Sequence, residues 1–183
     1  MRTTTAALAL SAAVLTVGLA GAAHAEQYGV DDPEDTWHGS DIRALQVHNG
    51  TKDVAITTTH DNLVRRAASG SAEAIYLDTD RERRGPEFVF ATGLYEGTDY
   101  VLRETDGFGP KKWGDAVENG DYILRIDYRK DRARFRISQA ALGDPDAVRV
   151  AVRASGTRTD GTSHGLVDWV GKARSFTPWV DRG

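Results

Sequence analysis

Apolar residues recur at every second position in short runs from residue 41 onward, and turn-forming residues cut the runs apart. A period of two puts one apolar face on a strand, and none of the runs keeps the 3.6-residue stripe of a helix for long. Leu45 and Val47 alternate within residues 42–48, and Val54, Ile56 and Thr58 within 53–60. Asn49-Gly50 between them predicts a tight hairpin turn with positive φ angles. Further strands are expected at 73–79, 87–92, 99–105, 148–152, 165–170 and 176–180. The clearest hairpin spans 121–138, with Tyr122, Leu124, Ile126 and Tyr128 on one face of its first strand and Ala133, Phe135 and Ile137 on one face of its second. A turn at Lys130-Asp131 sets Ile126 opposite Phe135 and Asp127 opposite Arg134. Helical signals are limited to single turns, one within 61–71 closed by Gly70 and one at 138–142 ended by Gly143. Residues 106–120, rich in glycine, read as a long loop. About eight or nine short strands without a long helix predict an all-β fold, a single antiparallel β-sandwich of jelly-roll-like form.

The start of the chain has a different character. Met1-Arg2-Thr3, an apolar run over 6–20 and the small residues of Ala23-His24-Ala25 make the three-part pattern of a secretory signal peptide. Residues 1–25 are therefore expected to be removed, leaving a secreted chain that begins at Glu26. Residues 26–40 read as a polar leader, and 41–183 as the β-sandwich domain. No later stretch is apolar for long enough to span a bilayer, so no membrane contact is expected once the signal is gone.

Charge and composition then narrow the functions. With Arg2, the one charge of the signal, set aside, 22 basic residues stand against 27 acidic ones. A mildly acidic chain has no global attraction to nucleic acid. The absence of cysteine excludes disulfides, thiolate metal sites and cysteine catalysis. His38, His48, His60 and His164 sit in no metal-binding spacing, and no nucleophile elbow or phosphate-cradling glycine loop occurs. His60-Asp61 reads as a polar strand end, and no catalytic residue is assigned.

Three groups of residues remain as candidates. Asp78, Asp80 and Glu87 gather hard oxygen donors around a loop and suggest Ca²⁺, although the spacing is not that of an EF-hand. The alternative is that Arg81, Arg83 and Arg84 neutralise these acids in a salt-bridge network. Asp31, Asp32 and Asp35 form a second acidic group in the leader. No other cofactor is expected. The second group is basic: Arg125, Arg129, Arg132, Arg134 and Arg136 point away from the apolar face of their hairpin. Arg149 and Arg153 would extend this into a seven-arginine face if their strand is a sheet neighbour. In that register Arg125 and Arg136 face each other as like charges and are candidates for holding an anionic polymer, against the alternative of a solvated sheet face. The third group is aromatic. Trp169 and Trp179 lie among apolar neighbours and are expected to plug the core, whereas Trp37 and Trp113 lie among polar residues and glycines and are candidates for stacking on a ligand.

The strings Asp41-Ile42, Ile75-Tyr76-Leu77-Asp78-Thr79-Asp80 and Arg84-Gly85-Pro86-Glu87-Phe88 resemble a group of secreted actinobacterial proteins. Leu124-Arg125-Ile126-Asp127-Tyr128, Phe135-Arg136-Ile137 and Asp168-Trp169 fit the same group, and the resemblance covers most of 31–180. More distantly the chain is similar to the β-sandwiches of carbohydrate-binding modules and DOMON-type domains. The resemblance implies the sandwich fold, and some of those domains bind sugar, haem or Ca²⁺. Met1 is the one methionine and leaves with the signal, so methionine ligation of haem is excluded in the mature chain. The expected function is a secreted, non-catalytic binding or surface-interaction module for an extracellular glycan or anionic polymer. The alternatives are a small secreted hydrolase drawing a carboxylate pair from Asp31, Asp78, Asp80 and Glu87, and an envelope protein with no small ligand.

Overall fold

The structure, a computed structural model, describes residues 26–36, 40–158 and 161–183. The alternating runs become strands, and the strands form two antiparallel sheets. The first sheet has the order β1-β2-β3-β9-β8, built from β1 (Glu26–Asp31), β2 (Ile42–Asn49), β3 (Asp53–His60), β8 (Tyr122–Asp127) and β9 (Arg132–Ser138). The second has the order β11-β10-β4-β5-β6-β7, with β12 also paired to β10. Its strands are β4 (Ala72–Asp78), β5 (Phe88–Gly93), β6 (Tyr100–Thr105), β7 (Trp113–Ala116), β10 (Ala147–Ser155), β11 (Val167–Trp169) and β12 (Val180–Asp181). Between these strands lie three 3-10 turns, at Ala67–Ser69, Pro110–Lys112 and Gln139–Leu142. No described helix is long and apolar enough to cross a membrane.

The inner faces of the two sheets share one core. Leu45, Val47, Val54, Ile56, Phe135 and Ile137 come from the five-stranded sheet, and Ile75, Leu77, Phe90, Leu102, Val150 and Val152 from the seven-stranded one. Phe90 meets Phe135 edge-on across the interface, with ring centroids 5.1 Å apart. Each fully buried side chain of this kind stabilises by about 1.5–3 kcal/mol, and the period-two pattern exists because that burial is one-sided.

Twelve strands lie within the described residues, more than the eight or nine expected. The additional ones are held by backbone pairing and carry little hydrophobic signal. β1 pairs with β2 along its whole length, from Glu26 opposite Asn49 to Asp31 opposite Ala44, so much of the polar leader is an edge strand. β7 lies inside the glycine-rich stretch and pairs with β6 by two bridges.

The hairpin register differs by two residues from the expectation. Leu124 lies opposite Phe135, Arg125 opposite Arg134 and Asp127 opposite Arg132. A two-residue turn at Lys130-Asp131 would need positive φ at Lys130, in type I′ or type II′ alike, and here Asp131 alone takes one, at +50°. The connection therefore spans 128–131, closed by the Arg129 N–H bond to Asp127 Oδ1 at 3.0 Å. A shift of two preserves which face each side chain takes. Asn49-Gly50 is likewise no positive-φ turn. Asn49 is buried and donates from Nδ2 to the Val180 carbonyl at 2.9 Å, while its Oδ1 accepts from Gln139 Nε2 at 2.7 Å. The seven-arginine face does not form: Arg149 and Arg153 belong to β10 in the other sheet.

Candidate functional site

The outer face of the seven-stranded sheet holds a second apolar cluster and a groove of about 710 Å³. Its floor is built from small side chains because opposite residues on one face pair small with small: Ala72 faces Gly93, and Ala74 faces Ala91. One wall is aromatic. Tyr76 is buried under Trp169, which stacks on it at 6.0 Å and 17°, and Phe108 meets both rings edge-on. Trp113, half-buried, packs with this cluster, and Tyr95 also lines the groove. The loop that delivers Phe108 and Trp113 is pinned in place, since Gly109 N–H donates to the Tyr76 hydroxyl at 3.0 Å and Thr105 Oγ1 donates to the Lys112 carbonyl at 3.0 Å. Polar groups rim the groove. Arg153 lies across the ladder from Ala74 and Trp169 and reaches Ser155 Oγ at 3.3 Å, and Arg174 lies nearby. Flat apolar rings with a few hydrogen-bond donors around them suit a ligand that has both an apolar face and hydroxyl edges.

A smaller, polar cleft of about 410 Å³ is lined by Asp80, Glu87, Glu104 and Asp106, with Arg83 and Lys112. Burial pushes the Glu87 carboxyl above the usual carboxylate range, and the Asp78 charge adds to this, while the Thr79 N–H bond at 2.7 Å works against it.

The structure places the sequence candidates in separate parts of the molecule. Trp113 lines the large groove, and Trp37 lies outside the described residues. Trp169 and Trp179 are not core plugs. Trp169 is a wall of the groove, and Trp179 lies half-exposed under the guanidinium groups of Arg81 and Arg149, 4.7 and 4.6 Å from its ring centre. Arg125 and Arg136 are exposed on the outer face of the five-stranded sheet, Arg136 with Asp53 at 3.9 Å. Asp78 is fully buried and clamped by Arg149, whose Nε and Nη2 lie 2.9 and 2.6 Å from Oδ2. Asp80 Oδ1 caps the Glu82 N–H at 2.9 Å, and Glu87 Oε2 accepts from Thr79 N–H. The carboxylates brought together as a potential cation site among the described residues are others: Asp35, Asp41 and Asp168.

The sequence reading missed a buried pair, His60 with Glu73, and the burial of Asp168; His60 is no solvated strand end. His60 is 3% exposed and lies 3.5 Å from Glu73, which is equally buried. Glu73 shares its strand face with Ile75 and Leu77, and Asp168 has the same parity as Leu166 and Val170. An acid at an inward parity was the available signal in both cases. The chain matches no known family model and no curated protein.

Proposed function

We propose that this protein is a secreted, non-catalytic binding module whose ligand is an extracellular glycan held in the outer groove of the seven-stranded sheet. The observation that carries this reading is the concave face in which a small-residue floor lies beside Trp113, Trp169 and Phe108. A pyranose ring offers an apolar face to such rings and hydroxyls to Arg153 and Ser155. The hydrolase alternative draws less support, because Asp78, Asp80 and Glu87 are each already engaged by Arg149 or a backbone N–H, and Asp31 lies exposed on the edge strand β1. A second reading, retention of an anionic polymer, rests on Arg125 and Arg134. They lie directly opposite each other, and among the described residues no carboxylate approaches either guanidinium within 4.0 Å.

The test is affinity electrophoresis and tryptophan-fluorescence titration of the mature chain against neutral polysaccharides and against a sulfated one. Retention by a neutral glycan should weaken at least tenfold in Trp113→Ala, about 1.4 kcal/mol or more, and also in Arg153→Gln, with the fold intact by circular dichroism. Arg125→Gln should leave it unchanged. No binding to any glycan, or binding indifferent to both groove variants, would refute the groove reading. Binding to the sulfated polymer alone, lost in Arg125→Gln and steeply salt-sensitive, would move the function to the arginine face.

A further inference from the structure

The connection between β1 and β2 brings Asp32, Asp35 and Asp41 to one end of the sandwich, where Asp168 of β11 faces inward opposite Ala154. One oxygen each from Asp35, Asp41 and Asp168 lies within 4.8 Å of the other two. Asp41 is 0% exposed and Asp168 3%. Asp41 Oδ1 accepts the Thr36 N–H at 2.8 Å, and Asp168 Oδ2 accepts the Ile42 N–H at 2.6 Å. Asp168 Oδ1, however, is buried with no hydrogen-bond partner. Asp32 repeats the pattern, with Oδ1 bonded to Gly171 N–H at 2.8 Å and a buried, unpartnered Oδ2.

Positive charge here is scarce. Among the described residues Arg43 alone forms an ion pair with these four acids, 3.3 Å from Asp41, and it is shared with Glu34 at 3.3 Å. Buried carboxylate oxygens are normally paired, and several like charges in one buried corner are unfavourable without a counter-charge. The corner is thus short of positive charge: Arg43 is shared with Glu34, and His60, close enough to feel the Asp168 charge, is already paired with Glu73, while Asp168 Oδ1 keeps no partner.

We propose that Asp35, Asp41 and Asp168 bind a divalent cation, and that the all-oxygen donor set on an irregular connection fits Ca²⁺. Ca²⁺ takes six to eight oxygen ligands in flexible geometry, whereas Mg²⁺ demands near-ideal octahedral geometry and gives up its water reluctantly. The ion ties the β1–β2 connection, which belongs to the five-stranded sheet, to β11 at the edge of the other sheet. Asp32 adds a further negative charge beside it and fixes the turn after β11 through Gly171. This site is distinct from Asp78, Asp80 and Glu87, whose oxygens are held by Arg149, Glu82 N–H and Thr79 N–H.

Melting of EDTA-treated mature protein, followed as CaCl₂ rises from about 10 µM to about 10 mM, tests the assignment, since extracellular Ca²⁺ modules bind in the 10⁻⁴–10⁻³ M range. The melting temperature should rise by roughly 5–10 °C at a hundredfold excess over Kd, and calorimetry should count one ion per chain. MgCl₂ should give a smaller shift. Asp35→Asn, at an exposed position, should move the Ca²⁺ midpoint at least about tenfold upward, while the calcium-free melting temperature should not fall, because one like charge is removed from the corner. Asp168→Asn keeps the acceptor for Ile42 and should abolish the calcium response. Asp80→Asn should retain the full shift. No calcium response in the wild type at about 10 mM, or a response undiminished in both cluster variants, would overturn the proposal, as would its loss in Asp80→Asn alone.

Discussion

Buried ion pairs hold only where both partners keep their hydrogen bonds, and His60 meets Glu73 inside the sandwich with most of those bonds made. Its Nδ1 lies 2.8 Å from the Ser40 carbonyl, and its Nε2 3.0 Å from Thr58 Oγ1. Burial pushes the imidazole down, but the charge and hydrogen bond of Glu73, the Ser40 carbonyl and the Asp168 charge outweigh it, so His60 is raised above its ordinary 6.5. A group with a raised folded pKa stabilises fully below its unfolded value, and the contribution is lost as pH rises through the folded one. Glu73→Gln should therefore lower the imidazole pKa read by NMR and cost about 1–3 kcal/mol in urea unfolding near pH 5.5, and less near pH 8.5. An imidazole titration unchanged by the substitution would mean that Glu73 does not hold the proton in place. The pair was illegible as a pair. His60 ends β3 and Glu73 lies in β4, and those strands belong to different sheets. Only the inward parity of Glu73, in step with Ile75 and Leu77, was visible.

At the scale of the element, the β8–β9 hairpin shows how far a pattern reaches. Its two faces follow from alternation alone, and the structure keeps them: Ala133, Phe135 and Ile137 are buried, and Arg134 and Arg136 exposed. Its register depends on the connection, because a two-residue and a four-residue turn preserve the same parity. The consequence is specific. Arg125 opposes Arg134, and like charges directly opposite destabilise a ladder. Arg125→Glu should therefore raise stability by about 0.2–1 kcal/mol, measured by urea unfolding at low salt, with the gain shrinking as salt is added. A loss of stability would mean that the guanidinium stem covers apolar surface worth more than the charge. Arg136→Glu should lack the gain, since Arg136 already has Asp53 at 3.9 Å.

At the scale of the whole molecule, the polar stretch before the first strong alternation closes the sandwich. β1 covers the edge of β2 and lays Tyr28 and Val30 against the core, and the connection after it is latched to β11 and its following turn by Asp168, Asp32 and Thr36. Removing residues 26–31 should cost on the order of 2–4 kcal/mol, from two partly buried apolar side chains and a lost ladder, and should expose the β2 edge to self-association. Urea unfolding and sedimentation of the shortened chain test both outcomes. An unchanged unfolding midpoint would mean that the strand adds nothing to the fold.

What the sequence determined by itself was local: the strands that carry an apolar alternation, though not β1 and β7, which face of each is apolar, where single turns end at Gly70 and Gly143, and that no disulfide takes part. These follow from alternation, glycine conformation and composition, which act over a few residues. The tertiary structure decided everything that depends on which strands become neighbours. It split the expected arginine face between two sheets, moved Trp169 from an expected core position to the wall of an outer groove, and gathered Asp35, Asp41 and Asp168 across more than a hundred residues of chain. Alternation fixes a side chain's face but carries no information about the strand or sheet across from it. The groove and the acidic corner are both properties of such long-range neighbours.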